Sequence, residues 1–411
     1  MSMKSKCFLD THIKSDCVGC EACLQVCAKS AIRLYEDDEG FRYPTIDLSK
    51  CVDCGLCRKV CPINNLPFRY SDDKIAFGGY HKNKYIKQES TSGGAFSAIV
   101  ESWCDANYVI FGAYTDGLKV RHGYITNKKD IGKFRKSKYS QSYIGLSYQE
   151  AKGFLKDGKK VLFSGTPCQI AGLRVYLGKI DTSNLLTIEV ICEGVPSPLY
   201  VRKMSEHFEK KYGFPIESID YRYKDKNRWD FQVMLVNLTS KSQQNGTFRC
   251  DRWFNPFWSI WLNHLMSRPS CYECRFTNIS RVADISLGDL WGVHLYCPEL
   301  YGKNEGASLI VCNTPKGIKA LERAKQLLYG HELDFKDALR FQSPMRKSID
   351  ANEHREEFMR DLESNKAYEQ IIAKWAKKPS LRLLYQKYIW GNRQKIFCWS
   401  IKQNIKNLFI K

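Results

Sequence analysis

The stretch Cys17-Val-Gly-Cys20-Glu-Ala-Cys23-Leu-Gln-Val-Cys27 decides how the first part of the chain folds. The same cysteine spacing returns between Cys51 and Cys61, and Pro62 follows the last cysteine. Two residues between consecutive cysteines allow a tight loop to turn three thiolates inward around one inorganic core. The fourth cysteine of each run then reaches the core that the other run holds, so the two runs fold as a unit.

This spacing is typical of bacterial ferredoxins with two 4Fe-4S clusters. One cluster is expected to bind Cys17, Cys20, Cys23 and Cys61, and the other Cys27, Cys51, Cys54 and Cys57. Zinc is the weaker alternative because it prefers two C-x2-C pairs, and disulfides belong mainly to secreted chains. We therefore predict that residues 1–66 form an α+β ferredoxin-like domain with two 4Fe-4S clusters, which transfers electrons.

The length of the chain and its cysteine content indicate the number of domains and the cellular compartment. The 411 residues suffice for two or three domains with buried cores. The chain begins without an apolar h-region, and no stretch has about 18 uninterrupted apolar residues. These features predict a cytoplasmic protein, in which the 18 cysteines stay reduced and serve as ligands.

The positive charge is unevenly distributed. Residues 1–66 contain nine basic and nine acidic residues, so the formal net charge of +20 arises beyond them. A basic body favours acidic partners, such as an anionic cofactor, a small acidic electron carrier like ferredoxin, a phosphorylated substrate or a lipid surface. Nucleic-acid binding is not expected, because no known nucleic-acid-binding signature is visible. A charged surface that only keeps the protein soluble is the simpler alternative.

Beyond the cysteine runs, strand-like and helix-like segments alternate, which predicts an α/β core. The strand-like segments are Lys74–Tyr80, Tyr108–Tyr114, Lys160–Ser164 and Leu185–Cys192, and the helix-like ones include Gly94–Asp105 and Gln149–Asp157. We divide this core into residues 74–150 and 151–313. Residues 314–411 are predicted to form a mostly helical, basic tail.

The end of the tail has the pattern of a basic amphipathic helix. Between residues 394 and 410, apolar side chains recur at helical spacing at Phe397, Ile401, Ile405 and Leu408, and lysines stand at Lys395, Lys402 and Lys406. Such a helix more often packs on its own protein. The alternative is docking on anionic lipid, which would bring the protein to the inner face of the membrane.

Four segments of the core carry candidate chemistry. The loop Ser90–Gly94 precedes a predicted helix, so its amides could bind a cofactor phosphate, although a plain serine-capped helix explains it equally well. Cys168 and Cys192 each follow a strand, and Cys271 and Cys274 form a C-x-x-C pair. Because neighbouring strands end at one crevice, these four thiols could form a third site. Zinc, a redox dithiol and unrelated buried cysteines remain alternatives.

Several collinear blocks resemble the coenzyme F420 hydrogenase/dehydrogenase beta-subunit family, preceded by a ferredoxin-type extension. They are Thr91–Gly94, Arg135–Ser142, Gly165–Gly172, Cys192–Pro198, Cys271 to Cys274 and Asp284–Gly292. This resemblance implies an α/β flavin-binding core that binds FAD and exchanges electrons between iron-sulfur clusters and a two-electron organic substrate.

The resemblance also implies roles for individual residues. The flavin or its phosphates would contact Ser92, Gly93 and Gly94, with Lys138, Tyr139, Gln141 and Ser142 nearby. A further 4Fe-4S cluster would be held by Cys168, Cys192, Cys271 and Cys274. Glu193 departs from the family, which often has histidine after the second of these cysteines. No catalytic residue is assigned.

Three hypotheses about function follow. The leading one is an iron-sulfur flavin oxidoreductase, which uses either a deazaflavin coenzyme of the F420 type or a ferredoxin-driven reduction of another substrate. A precursor in surface-polysaccharide biosynthesis is one such substrate. The second is a non-catalytic electron-transfer subunit of a larger complex. The third is a cluster-bearing structural or sensing protein without a substrate.

Overall fold

The computed structural model describes residues 6–70, 74–225, 229, 232–239, 246–301 and 305–409. In the first part, both cysteine runs lead into short helices around a two-stranded antiparallel hairpin. Its elements are α1 (Phe8–Thr11), α2 (Ala22–Val26), β1 (Ile32–Glu36), β2 (Arg42–Ile46) and α3 (Leu56–Lys59). The chain turns into α2 at Glu21 and into α3 at Gly55, which have left-handed φ angles of 60° and 71°. These matching turns give the two cysteine loops similar shapes.

A mixed sheet of eight strands forms the centre of the core. Its strands are β3 (Ile75–His81), β4 (Tyr108–Asp116), β5 (Lys119–Ile125), β6 (Lys160–Gly165), β7 (Leu185–Val190), β11 (Ile285–Asp289), β12 (Ser308–Cys312) and β13 (Leu328–Leu333). Their spatial order is β13-β3-β12-β11-β7-β6-β4-β5. The four neighbours β4, β6, β7 and β11 run parallel, so their carboxyl ends lie at the same edge.

A smaller antiparallel sheet, in the order β10-β9-β8, stands beside this core. Its strands are β8 (Ile216–Lys224), β9 (Gln232–Leu238) and β10 (Thr247–Asp251). The sequence did not predict this sheet. Along β8 the charged residues Asp220, Arg222 and Lys224 alternate, so the strand lacks the apolar run by which strands were recognised.

Helices cover the sheets and form most of the C-terminal part. They are α4 (Lys84–Gln88), α5 (Ala95–Trp103), α6 (Ser147–Lys156), α7 (Pro167–Leu177), α8 (Pro198–Tyr212), α9 (Pro256–Leu262), α10 (Pro269–Tyr272), α11 (Val293–Tyr296), α12 (Pro315–Ala324), α13 (Phe335–Arg340), α14 (Arg355–Glu363), α15 (Tyr368–Trp375), α16 (Leu381–Leu384) and α17 (Asn392–Phe409). α7 begins with a capping box between Thr166 and Gln169 and has Pro167 as its first residue. This start fixes the direction of the helix as it leaves β6.

The α/β prediction is confirmed for the segments singled out from the sequence, since β3, β4, β6, β7, α5 and α6 lie where they were expected. The predicted tail differs in one respect. Within it, β13 pairs with β3 and adds a strand at the edge of the large sheet. This strand alternates buried and exposed residues only weakly, which is why its sequence did not indicate a strand.

The last helix, α17, is mostly exposed along its apolar row. Phe397, Ile401 and Ile405 are 65%, 43% and 49% exposed, whereas Ile396 packs on a hydrophobic cluster of the core. The expectation that this row packs on its own protein is therefore not met at these three positions; Ile410 lies outside the described residues. None of the helices in the described ranges combines the length and apolarity that a bilayer span requires.

Candidate functional site

The four thiols assigned to the first cluster line one cavity. Its lining includes Cys17, Cys20, Cys23 and Cys61, together with Cys7, which the sequence did not single out. Burial raises the pKa of Cys20 and Cys23, and the neighbouring thiols raise it further. Four cysteine side chains around one largely apolar cavity are a donor set that fits a 4Fe-4S cluster, which would bind them as thiolates.

The second predicted set lies closer to the surface. Cys27 and Cys57 pack on the same small hydrophobic cluster as Cys23 and Cys61. The charge of Cys51 contributes to a raised pKa of Cys57, after burial as the main cause. Cys54 is exposed. The second cluster would therefore be the more accessible of the two.

The core brings its four predicted thiols together. Cys168 is the second residue of α7, directly after β6, and Cys192 follows the end of the neighbouring parallel strand β7. Cys271 lies in α10, and Cys274 follows that helix. Burial raises the pKa of Cys192, and the charges of Cys271, Cys168 and Cys274 raise it further. The four sulfur atoms are thus close enough to interact, as the common edge of β6 and β7 predicted.

The spacing of this core quartet is compatible with the predicted cluster. Among the residues that the structure describes, no three side chains of His, Cys, Asp or Glu lie close enough together to bind one metal ion. A 4Fe-4S core needs a wider spacing, because each thiolate binds a different iron atom. Ligation of a third cluster by these residues stays a prediction.

The core quartet adjoins the first cysteine loop. A Cβ atom added at Gly172 of α7 would stand 3.1 Å from the Sγ atom of Cys20, so helix and loop are in direct contact. Cys20, Cys61, Cys168 and Cys274 belong to one hydrophobic cluster. The two predicted cluster sites are therefore neighbours across the junction between the dicluster part and the core.

On its other side the core quartet adjoins a group of buried charges, which we call the basic cleft. It is formed by Arg222 and Lys224 of β8, Arg252 after β10, and Asp289 and Trp291 at the end of β11. Arg222 donates from Nη1 to Asp289 Oδ2 at 2.7 Å. The Lys224 ammonium donates to the carbonyl of Ser92 at 2.6 Å, and burial lowers its pKa to about 7.

Glu193 connects the cleft with the core quartet. It follows Cys192 directly in the sequence. Burial raises the pKa of its carboxyl group, while His264, Arg252 and Arg222 act in the opposite direction. Glu193 therefore adds an acidic group near the arginines of the cleft.

Comparison with known proteins assigns both parts of the chain. Residues 16–65 match the 4Fe-4S dicluster domain. Residues 158–336 match the C terminus of the coenzyme F420 hydrogenase/dehydrogenase beta subunit. The chain thus combines a 4Fe-4S dicluster domain with a domain that matches the C terminus of the F420 hydrogenase/dehydrogenase beta subunit. The match to this C-terminal domain runs to residue 336, and β13, which lies beyond residue 313, pairs with β3 of the large sheet.

Two curated relatives match short parts of the chain. NADH-quinone oxidoreductase subunit I 2 of Geobacter metallireducens is 36% identical over 61 residues, which are 14% of this chain and 47% of the relative. An uncharacterized ferredoxin of Methanocaldococcus jannaschii is 33% identical over 51 residues, or 12% of this chain and 65% of the relative. The chain thus spans about half to two thirds of the length of these relatives.

Among solved structures, the xenon-derivatized F420-reducing [NiFe] hydrogenase complex of Methanosarcina barkeri is similar to this chain. The alignment has a TM-score of 0.40 at 15% identity and covers 75% of this chain and 90% of that one. This likeness is too loose to support a functional argument.

The first three predicted flavin residues precede the matched beta-subunit domain and are engaged with the protein itself. Ser92 Oγ donates to the carbonyl of Ala307 at 2.8 Å, and the Gly93 amide donates to Ser308 Oγ at 2.9 Å. Gly94 adopts a left-handed φ of 88° before α5. Internal packing therefore accounts for this loop, and its contact with flavin stays a prediction.

The other four predicted flavin residues do not lie together in one region. Tyr139 lies at the basic cleft, where its hydroxyl group accepts from Arg222 at 3.4 Å. The Lys138 ammonium donates to backbone carbonyls of residues 134–136, and burial lowers its pKa to about 7. Gln141 donates to the carbonyl of Val18 in the first cysteine loop, and Ser142 Oγ accepts from Gln169. The structure thus separates Gln141 and Ser142 from the cleft.

Sequence reasoning missed the residues that join these regions. Arg222 and Arg252 lie in the second sheet or directly after it, outside every block that carried the resemblance. Arg268 is fully buried between the cysteine loops and the core. A buried arginine is rare unless it is paired, yet nothing in the local sequence tells it apart from an exposed one.

Proposed function

We propose that this protein is an iron-sulfur flavoprotein oxidoreductase. It would pass electrons between 4Fe-4S clusters and FAD, to or from a two-electron organic substrate. The observation that supports this best is the contiguity of three features: the cysteine-lined cavity, the core quartet and the basic cleft. Arg268 lies between the first two, and Glu193 lies between the last two.

The residues that would hold the groups follow from this arrangement. Cys17, Cys20, Cys23 and Cys61 would hold the inner cluster of the dicluster domain, and Cys27, Cys51, Cys54 and Cys57 the outer one. The core quartet would hold a third cluster. Clusters of this kind exchange single electrons, and a flavin converts between single electrons and electron pairs.

The basic cleft is the best candidate region for the flavin. FAD is anionic, and Lys224 places a buried cation at the carbonyl of Ser92, one of the predicted flavin residues. Ser92 and Tyr139 border this cleft, so part of the predicted flavin set supports the assignment. Gln141 and Ser142 would act differently, since they hold the cysteine loop and the start of α7.

The partner is proposed from charge and exposure. The exposed Cys54 marks the side from which a small carrier such as ferredoxin would exchange electrons with the outer cluster. A deazaflavin coenzyme of the F420 type is the other proposed partner and would bind at the cleft. The beta-subunit family also supports a second function, that of an electron-transfer subunit without its own substrate.

The exposed apolar row of α17 supports a further version of this proposal. Phe397, Ile401 and Ile405 are exposed on a helix that carries several lysines. Such a helix would bind anionic lipid, and the protein would then work at the inner face of the membrane on a precursor in surface-polysaccharide biosynthesis.

Anaerobic purification with quantified iron, sulfide and flavin tests the proposal. About twelve iron atoms and one flavin per chain would support three clusters and FAD. About eight iron atoms per chain would show that the third cluster is absent. Absence of flavin would refute the proposal that the protein is a flavoprotein. Reduction of the bound flavin by reduced ferredoxin or reduced deazaflavin, without other subunits, would separate the enzyme from the electron-transfer subunit.

A further inference from the structure

Arg252 is a partly buried guanidinium without an acidic partner. Its backbone amide donates to the carbonyl of Gln232, but its side chain makes neither an ion pair nor a hydrogen bond to any part of the chain that the structure describes. It lies against aromatic rings, with the Cζ atom 4.7 Å from the ring centre of Trp258 and 5.9 Å from that of Trp291. Such a cation normally pairs with an anion when it leaves water.

A second guanidinium stands beside it. The Cζ atom of Arg222 is 5.7 Å from the centre of the same Trp291 ring. The Arg222 side chain is only 6% exposed, and its Nη2 atom has no hydrogen-bond partner among the described residues, although Nη1 and Nε are bound by Asp289 and Gln232. The two arginines therefore share one ring, and the Nη2 amino group of Arg222 and the whole side chain of Arg252 are left without a hydrogen-bond partner among the described residues.

The charges around this pair do not balance. Burial lowers the pKa of Arg252, and the nearby charge of Arg222 lowers it further. Asp289 compensates Arg222 through their ion pair. Glu193 is the other acidic group nearby, but it forms no ion pair with either arginine in the described part of the chain. Two guanidinium groups thus face one committed carboxylate, and the remaining positive charge calls for an anion from outside the chain.

Part of the aromatic surroundings of this site is exposed. Trp291 is 36% exposed and Phe254 is 53% exposed, whereas Trp229 is buried and lies against Trp291 with a ring separation of 5.0 Å. The Trp291 ring that the two guanidinium groups share is thus partly open to solvent. Planar guanidinium groups bind phosphate and carboxylate through paired N–H groups.

We propose that Arg252 and Arg222, with Trp291 beneath them, form a recognition site for an oxyanion of the substrate, either a phosphate or a carboxylate. This inference rests on the proposed function only in identifying the ligand as the substrate of the same oxidoreductase. It predicts a two-electron substrate that carries an acidic group next to a flat or apolar portion. Neutral sugars and hydrocarbons would not meet this requirement.

Calorimetric titration of the full, anaerobically prepared protein tests this site, with inorganic phosphate and acetate as separate probes. We expect one of them to bind, and Arg252→Gln to weaken that binding at least about tenfold, since a hydrogen bond to a charged group is lost. Arg252→Lys should give an intermediate affinity, because it keeps the charge but loses the planar fork. Arg323→Gln removes an exposed arginine on α12 and should leave the affinity unchanged.

The outcomes separate this inference from the proposed function. Tighter binding of phosphate assigns a phosphate group to the substrate, and tighter binding of acetate assigns a carboxylate. Absence of binding by the wild-type protein, or equal binding by Arg252→Gln, would overturn the site even when flavin is present. Loss of flavin from Arg252→Gln would also overturn it, because the arginine would then hold the cofactor. Anion binding by a preparation without flavin would support the site and refute the flavoprotein.

Discussion

Arg268 donates from Nε to the carbonyl oxygen of Cys17 at a distance of 2.8 Å. The same guanidinium donates to Gln141 Oε1 at 2.8 Å and to the carbonyl of Arg42 at 3.0 Å. Burial lowers its pKa, but Cys17, Tyr43 and Cys271 act in the opposite direction and raise it overall. One fully buried side chain therefore ties the first cysteine loop to the segment that precedes Cys271.

Replacement of this arginine should loosen the dicluster domain from the core. We expect Arg268→Ala to lower the free energy of unfolding by about 3 kcal/mol or more, because three buried or partly buried acceptors lose a charged donor. Arg268→Lys should recover little, since an ammonium cannot reach three divergent acceptors. Denaturant unfolding and limited proteolysis would measure the effect, and the exposed Arg33→Ala is the control. Unchanged protease resistance of Arg268→Ala would contradict this role.

Loss of one core thiol should remove one cluster and leave two. We expect Cys192→Ala to lower the iron content from about twelve to about eight atoms per chain, because three thiolates hold a 4Fe-4S core poorly. Cys104→Ala is the control, since Cys104 is a buried thiol that packs in a hydrophobic cluster without another predicted ligand. Iron analysis and EPR spectra of the reduced protein would decide the matter. Equal iron in both variants would show that the core quartet binds no cluster.

The contact between α7 and the first cysteine loop leaves no room for a side chain at Gly172. A Cβ atom there would lie 3.0 Å from Cys20 Cβ and 3.1 Å from the Tyr148 hydroxyl, which is itself bound to the carbonyl of Gln169. Gly172→Val should therefore cost about 1–3 kcal/mol of stability and impair the cluster at Cys20.

Gly153 offers the matching control, because a Cβ atom added there on α6 meets nothing within 4 Å. Gly153→Val should be neutral or slightly stabilising, since valine is a better helix former than glycine. Thermal melting and the visible absorbance of the clusters would compare the two variants. A normal spectrum and melting temperature for Gly172→Val would mean that the helix and the loop can separate without consequence.

The stability of the protein should decrease as the pH is lowered, because of His122. Its Nε2 atom donates to the carbonyl of Ser164 at 3.0 Å, and the ring stacks on Phe163. Burial lowers the pKa of His122 from 6.5 to about 4. Between these two values the unfolded chain binds more protons than the folded one, so stability decreases as the pH falls from about 6.5 towards 4. The full loss would be about 3 kcal/mol.

We expect His122→Phe to flatten the pH dependence of the melting temperature between about pH 7 and 5, because phenylalanine keeps the stacking and cannot take up a proton. His354→Phe at the surface is the control. If the pH dependence of His122→Phe were as steep as that of the wild type, other groups would be responsible.

Predictability from the sequence differs between the two halves of the candidate site. The spacing of the cysteine runs was enough to predict the cavity that Cys17, Cys20, Cys23 and Cys61 line, because those ligands are fixed mainly by local loop geometry. The convergence of Cys168 and Cys192 could also be expected, since both follow apolar strands. The basic cleft could not, because Arg222 lies in β8 and Arg252 directly follows β10, and the charged residues of these strands hide their pattern.

Local features could therefore be predicted from the sequence. Cysteine spacing, apolar strands and the capping of α7 each depend on residues a few positions apart. Only the tertiary structure decided which distant groups meet. It brought Arg268 to Cys17, Gly172 to Cys20 and the two arginines to Trp291, because these contacts depend on how the sheets and helices pack. Packing brings residues that are far apart along the chain into contact, and no local sequence pattern indicates which of them will meet.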